Sequence, residues 1–489
     1  MQLIKHRALL LGVALSMAGA CRTAPDPRPE PGQVGIAVIS GAGQADTVQA
    51  QLPRPLVVEV RNDQGRPQAG VAVRFEAAVV EQPGFTVPMV NLSGVTPDNF
   101  QPAAEVRTDA LGRAAVRVRL GTATGTATVR VTVPTLGFST TAEYRVAPGR
   151  PARTVVLPAD TAVYVGGSYA LRAVVQDRAG TTTPVPLEAV ASDDAAIATA
   201  GAAVTGVAVG RTRIMVTVED EQVPVFVSVV PRGTLAAAGP RGVYVFGLDG
   251  SDYRLAVAAQ GARSPRWLPD GRRFVFTKGT FGEARVSDLD GATQPLLRGS
   301  VPPAQLWTHP SRDGQWVYFG GYSGPEMRGY PYRVRADGTG VQLLPGFTRD
   351  DRNQSHPSVS PAGDRVVYFR EEGDSRLVTL RILDLRTGRL VLRDVRGHAP
   401  EWSHGDSIAY LDPQGYESGP IRLMASDGTG ARPVGDGESY GFGFDWSPDD
   451  RWIVAHDMET ERLEIIHVAT GQRVPLPYSA GLFNPAWKP

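Results

Sequence analysis

Cysteine occurs once in 489 residues, at Cys21. A single thiol cannot close an internal disulfide, and it cannot supply the several thiolates of a cysteine zinc cluster. Lysine is nearly missing: Lys5, Lys278 and Lys488 stand beside 47 arginines. Basic and acidic residues balance at 50 each, for a formal net charge of zero. A chain that held nucleic acid through bulk positive charge would be strongly basic, so that class is excluded. Long apolar runs are absent too. The stretch ALLLGVALSMAGA at 8–20 has thirteen residues, too few to cross a bilayer core of about 30 Å as a helix. No long stretch of 34–489 holds a 3.6-residue apolar period, which argues against a helical domain. What remains is a turn-rich chain with Gly 55 and Pro 40 and 42% hydrophobic residues. Its length exceeds one core, so two to four domains are expected.

The N-terminus sets the compartment. Lys5, His6 and Arg7 precede the apolar run, in the pattern of a secretory signal peptide over 1–20. The run ends Ala18-Gly19-Ala20-Cys21. Small residues before a lone cysteine resemble the lipobox of bacterial lipoproteins, with Ala18 where leucine is usual. The resemblance implies cleavage before Cys21 and lipidation of its thiol. Several acyl chains, at about 0.8 kcal/mol per buried CH₂, would anchor the chain stably in a membrane. Arg22 follows the cysteine. No aspartate stands there to suggest inner-membrane retention, so the expected address is the outer membrane, facing periplasm or cell surface. Residues 21–33 then form a tether. Prolines at 25, 27, 29 and 31 favour a semi-rigid polyproline II spacer.

Short runs of period two, bounded by Gly, Pro, Asn and Asp, follow. PLVVEVRNDQGRP (55–67), VAVRFEA (71–77), AEVRTDALGRAAVRVRL (104–120), GTATVRVTV (125–133) and TTAEYRV (140–146) read as strands of a β-sandwich. Asp109 and Gly112 make a turn between two of them, and 79–103 is expected to be a loop. With SGAGQ at 40–44, these phrases resemble the bacterial Ig-like group 1 domain of intimin and invasin type over 34–147. A second module at 150–231 carries Val165-Gly166-Gly167, Ser192-Asp193-Asp194 before Ile197-Ala198-Thr199, and VTGVAVG at 204–210. It resembles the bacterial Ig-like group 2 domain, with Gly206 and Gly210 expected to supply tight turns. Both families resemble surface spacers and adhesive stalks.

From 233 the chain repeats. PRWLPDGRRFVFT (265–277), THPSRDGQWVYFG (308–320), HPSVSPAGDRVVYF (356–369), PEWSHGDSIAYL (400–411), FDWSPDDRWIVAHD (444–457) and NPAWKP (484–489) align on Trp267, Pro310, Val359, Trp402, Trp446 and Trp487. The spacings are 43, 49, 43, 44 and 41, the period of a propeller. Each repeat continues through a turn, an aromatic-aliphatic strand, a second turn such as DLDG (288–291) and a short return strand. Four strands per repeat make a blade. Five repeats are complete. Residues 234–257 carry strand patterns two to four without a first, and NPAWKP is a first strand without its continuation. The two ends are therefore expected to form a sixth blade, leaving no free edge. The repeats resemble the six-bladed TolB-like propeller across 233–489. The fold expectation is thus all-β: two Ig-like sandwiches, then a propeller closed by its C-terminal strand.

Candidate chemistry is sparse. GESYG (437–441) matches G-x-S-x-G, but a nucleophile elbow needs a strand-to-helix turn with Asp and His following, and only 48 residues remain; a Gly-rich loop is the plainer reading. DLDG lacks the spacing and distal Glu of a calcium loop. Six of seven histidines lie in the propeller. His309, His356 and His398 fall near the start of the innermost strands, with Ser264 and Asn484 at related positions. These five are the candidate ligand contacts at a channel mouth. Imidazoles there could instead bind a divalent metal; SHPSVSP (355–361) is loosely similar to a phrase of propeller lyases that act on oligogalacturonate with metal-bound histidines. The strand-one tryptophans are expected to pack between blades, and Arg349, Asp350, Asp351 and Arg352 to form a solvated rim. The expected activity is non-catalytic binding of protein or carbohydrate at a propeller end. No cofactor and no nucleic-acid partner are expected. The alternatives are a propeller lyase or hydrolase with a histidine-lined metal site, and a TolB-like role in envelope assembly.

Overall fold

A computed structural model describes residues 34–82, 85–94, 99–279, 282–297, 304–323, 328–347, 354–372, 377–413 and 418–489. The signal peptide, Cys21, the tether and the Arg349 to Arg352 cluster lie outside them. Among the described residues every regular element is a strand, and no helix long and apolar enough to cross a membrane occurs. The chain separates into two compact units: Met1–Arg153 with Val175–Thr183, and Thr154–Val174 with Pro184–Pro489.

The first unit stacks two sheets. One has the order Gly35–Ser40, Leu56–Arg61, Arg113–Leu120, Val90–Ser93; the other runs Ala45–Thr47, Phe138–Ala147, Gly125–Val133, Ala72–Ala77, Ala103–Arg107. Leu56, Val58, Phe75, Val116, Val118, Val129, Val131 and Tyr144 share one core. Ala103–Arg107 and Arg113–Leu120 lie in different sheets, so the Asp109 turn crosses the sandwich rather than closing a hairpin. Asp109 Oδ1 accepts the amides of Leu111 and Arg113. Gly112 sits at φ +72, where a Cβ would stand 2.7 Å from the Val60 carbonyl oxygen. The stretch 79–103 is not a loop throughout. Val79–Gln82 pairs with Phe85–Pro88, and Val90–Ser93 pairs with Arg113–Leu120. Only Val90 and Leu92 carry that last strand's alternation, too short a pattern to read without its partner.

Three sheets follow: Pro151–Leu157, Arg172–Asp177, Thr182–Val185; Asp160–Tyr164, Glu221–Val230, Gly210–Val218, Ala189–Ser192; and Ser168–Tyr169, Val204–Gly206, Ala198–Thr199. Ile214, Val216, Val225, Val227 and Val229 fill their core. Gly206 and Gly210 do not make turns here. They lie in strands, and a Cβ on Gly206 would come within 2.9 Å of the Tyr164 carbonyl oxygen, one on Gly210 within 2.8 Å of Ile197. Their small size, not their backbone freedom, is what the packing requires. The turn glycine is Gly166, at φ +80.

Successive antiparallel sheets follow, each a meander whose first strand is its innermost: Ala262–Trp267 through Thr293–Pro295, Ala304–Pro310 through Gln342–Leu343, Gln354–Val359 through Leu390–Arg396, His398–Trp402 through Arg432–Pro433. The next sheet is built on Trp452–Asp457, Arg462–His467 and Arg473–Pro475, with Asp445–Trp446 paired to the first of these. This is a β-propeller. Its two ends meet. Phe483–Trp487 pairs with Thr234–Gly239, matching Trp487 to Leu235 and Ala486 to Ala236. Leu235, Phe246, Trp452, Ile465 and Trp487 pack in one cluster, so the first and last sheets also share side-chain contact.

Candidate functional site

The innermost strands carry one repeated irregularity. Against the neighbouring strand, the register gains a residue between Arg263 and Arg266, Leu306 and His309, Ser355 and Ser358, and His398 and Glu401. Each of these is a β-bulge, which bends a strand and re-aims the side chains after it. Left-handed residues stand at the matched positions: Ser264 (φ 47), Trp307 (φ 56), His356 (φ 56), Ala399 (φ 48), Gly443 (φ 84) and Asn484 (φ 46). A non-glycine residue held there costs on the order of 1 kcal/mol or more and persists only where surrounding structure enforces it.

The residue just before each alignment anchor is Arg266, His309, Ser358, Glu401, Asp445 or Ala486. Five of these are polar, and they converge. Arg266 and Glu401, with side chains 7% and 3% exposed, form an ion pair through Nη2 and Oε1. Arg266 also donates to the carbonyls of Phe444 and Pro485, each at 3.1 Å. His309 Nε2 lies 3.4 Å from Glu401 Oε2, and His356 Nε2 lies 3.5 Å from Oε1. Ser358 Oγ accepts the Trp402 amide at 2.9 Å and meets His309 Nε2 at 3.1 Å. Asp445 accepts the amides of Trp446 and Trp487 at 2.9 and 2.8 Å. The Trp446 indole donates to the Glu401 carbonyl at 3.1 Å.

Charge follows from this geometry. Burial would raise the Glu401 carboxyl, but Arg266, then His309 and His356, outweigh it and hold it well below the usual range. Burial pulls on Arg266 the other way, and Glu401 and Asp445 keep its guanidinium charged. Asp445 is pushed up, chiefly by burial. Burial pushes His356 down and, with His356 nearby, takes His398 to about 4. Nδ1 of His309 and of His356, and both ring nitrogens of His398, have no partner among the described residues.

The five expected contact residues therefore sort into three groups. His309 and His356 meet at Glu401. Ser264 and Asn484 bond to each other, amide to Oδ1 at 3.4 Å, and serve the bulge. His398 stands apart, edge-on to Phe442 at 4.8 Å, while His356 stacks on Trp307 at 4.5 Å. The histidines do not share one level, as the alignment implied. They are the sixth, third and first residues of their strands. Side chains alternate along a strand, and a bulge shifts that alternation, so an alignment good to two residues cannot assign a level. Arg266, Glu401 and Asp445 escaped the sequence reading. Their signal was present, as the polar residue preceding each anchor.

The anchors Trp267, Pro310, Val359, Trp402, Trp446 and Trp487 line a cavity of about 260 Å³, with Arg266, His309 and Asp445 among its polar lining. Arg312, also lining it, donates to the His404 carbonyl at 3.1 Å, and His404 Nδ1 meets Asp450 at 3.1 Å. The tryptophans thus pack between sheets, as Trp267 does in one cluster with Ala236 and Ala486 of the neighbouring sheet, and also border the mouth. GESYG makes no nucleophile elbow: Tyr440–Gly441 is a short strand, and Tyr440 donates to Glu464 at 2.6 Å.

No family model matches the chain. An uncharacterized protein of Agrobacterium fabrum is 26% identical over 193 residues, 35% of this chain. The chain spans 62% of that relative's length. Among solved structures, TolB from Acinetobacter baumannii is similar at 15% identity and TM-score 0.44, over 58% of this chain and 80% of that one. A putative TolB from Agrobacterium tumefaciens follows at 15% and 0.40, over 53% and 94%. An oligogalacturonate lyase in complex with manganese stands at 15% and 0.32, over 50% and 73%. The strand pairings, not these likenesses, define the propeller.

Proposed function

We propose that the chain is an exported lipoprotein, anchored in the outer membrane through Cys21, whose two Ig-like modules carry a six-bladed propeller that binds a protein or carbohydrate at its channel mouth without transforming it. One observation carries the non-catalytic reading. Glu401 is the carboxylate at the heart of the channel, and Arg266 with two imidazoles holds it ionised. A general base works best with a pKa near the working pH, and this one is far below it. The second acid, Asp445, spends both oxygens on backbone amides. Such a floor fixes the shape and polarity of the cavity above it.

Cross-linking capture from intact envelopes tests this, comparing the wild-type chain with Arg312→Glu at the cavity. A captured species that disappears with the variant supports the mouth as the recognition surface; identical captures count against it. Cys21→Ser with cell fractionation tests the anchor, since unchanged membrane association would remove the lipid from the account.

A second reading is a lyase or hydrolase with a metal at His309, His356 and His398; their ring nitrogens lack partners, but no group of three or more His, Cys, Asp or Glu among the described residues is placed to hold a metal ion. Titration with Mn²⁺ or Zn²⁺ separates the two. Stoichiometric binding lost in His309→Ala would favour the enzyme.

A further inference from the structure

A larger cavity lies elsewhere in the second unit, of about 790 Å³. Tyr164 of the second sandwich closes one side; Phe246, Tyr253, Arg254, Trp267 and Lys488 of the propeller line the rest. Tyr164 is held in place by donating to the Gly233 carbonyl at 3.2 Å.

Three features point to a ligand. Lys488 is one of three lysines in the chain, and its Nζ stands 5.5 Å from the centre of the Trp267 ring. This Nζ has no ion-pair or hydrogen-bond partner among the described residues. Arg254 uses Nη1 on the Leu289 carbonyl at 2.9 Å and keeps further N–H groups. Asp252 lines the groove and Asp249 hydrogen-bonds the Tyr164 that closes it, so these two carboxylates balance Lys488 and Arg254 in charge, while the Lys488 Nζ itself stays unpaired. The Lys488 Nζ and the spare N–H groups of Arg254 are the donors an acid would meet here. Tyr253 supplies the last feature. The residue is 42% exposed and its ring is stacked on Phe246 at 5.3 Å, which holds it rigid as a platform for a flat or ring-shaped group.

We propose that this groove binds a carboxylate carried on a six-membered ring, the acid against Lys488 and Arg254, the ring on Tyr253. The second sandwich is then part of a binding site, because Tyr164 completes the wall. The inference does not rest on the channel mouth.

The test is calorimetric titration of the purified full chain with D-glucuronate and 4-hydroxybenzoate, each beside its neutral counterpart, D-glucose or phenol. The acids should saturate and bind about tenfold more tightly than the neutral compounds, the worth of a charge-assisted hydrogen bond. Lys488→Gln should cost about tenfold by the same reasoning, and Asp252→Asn should tighten binding. Tyr253→Ala should weaken both acids, and Arg312→Glu at the channel mouth should change neither. Saturation by one acid alone keeps the site and names its source, saccharide or aromatic. Acids that bind no better than neutral compounds would overturn the proposal. So would unchanged affinity in both Lys488→Gln and Asp252→Asn, provided each variant keeps the wild-type melting profile.

Discussion

In the first sandwich, Arg113–Leu120 alternates: Arg113, Ala115 and Arg117 are exposed, while Ala114, Val116, Val118 and Leu120 are buried. In the propeller, His398–Trp402 is buried at all five positions. Both are short antiparallel strands, yet they treat charge differently. The buried acid of the sandwich, Glu59, pairs with Arg61 and Arg113, whose side chains are 23% and 47% exposed. The buried acid of the channel, Glu401, pairs with an arginine as dry as itself. A pair with one foot in water can lose a partner and rehydrate. A pair sealed from water cannot, so the same chemistry becomes far more costly to disturb.

Removing residues 483–489 should have the largest effect. The propeller would lose the strand that pairs with Thr234–Gly239, and its calorimetric transition should broaden and fall. The transition of the first sandwich should survive. A propeller that still melts sharply would show that the closing strand is dispensable.

Glu401→Ala comes next. Arg266 would be left as an uncompensated buried charge, at a cost of about 3–5 kcal/mol in denaturant titration. A loss of less than about 1 kcal/mol, the range of surface pairs, would mean that water reaches the channel and would erase the contrast.

The third effect depends on pH. His398 titrates at about 4 rather than near 6.5, because burial opposes its charge and His356 adds to that. As pH falls, the unfolded chain takes up this proton first. The stability is therefore complete above 6.5 and drains away toward 4, by about 3 kcal/mol. Glu401, held low, adds to the acid loss below about pH 5, and Asp445, pushed up, runs against it. Denaturation midpoints from pH 7 to 4.5 should fall in the wild type and fall less steeply in His398→Phe, where His356, also pushed down by burial, keeps part of the slope. A flat wild-type profile would refute the assignment.

Arg113→Ala should do least, within about 1 kcal/mol, since Glu59 keeps Arg61 and can draw in water. An effect as large as that of Glu401→Ala would show that the sandwich pair is as sealed as the channel pair.

Much of this was legible beforehand. Period two is a local property, so the strands of 104–120 and the propeller repeats could be read from residues a few positions apart. So could the meeting of 234–257 with NPAWKP, because an incomplete unit at each end implies a partner. Other features were not legible. Val90–Ser93 is too short to announce itself. Gly206 and Gly210 looked like turn residues, since a sequence cannot distinguish a glycine chosen for its φ from one chosen for its size. The channel histidines looked level because a bulge leaves no separate mark in the sequence.

The sequence alone determined the strand-rich architecture, the repeat and the anchor positions, since these follow from alternation and spacing along one chain. The tertiary structure alone decided that Arg266, 135 residues from Glu401, would be its counter-charge, and that Tyr164 and Lys488 would wall one groove. Ion pairs and cavities depend on distance and dehydration between segments far apart in the chain. Those quantities exist only once the sheets have packed and water has been excluded from between them.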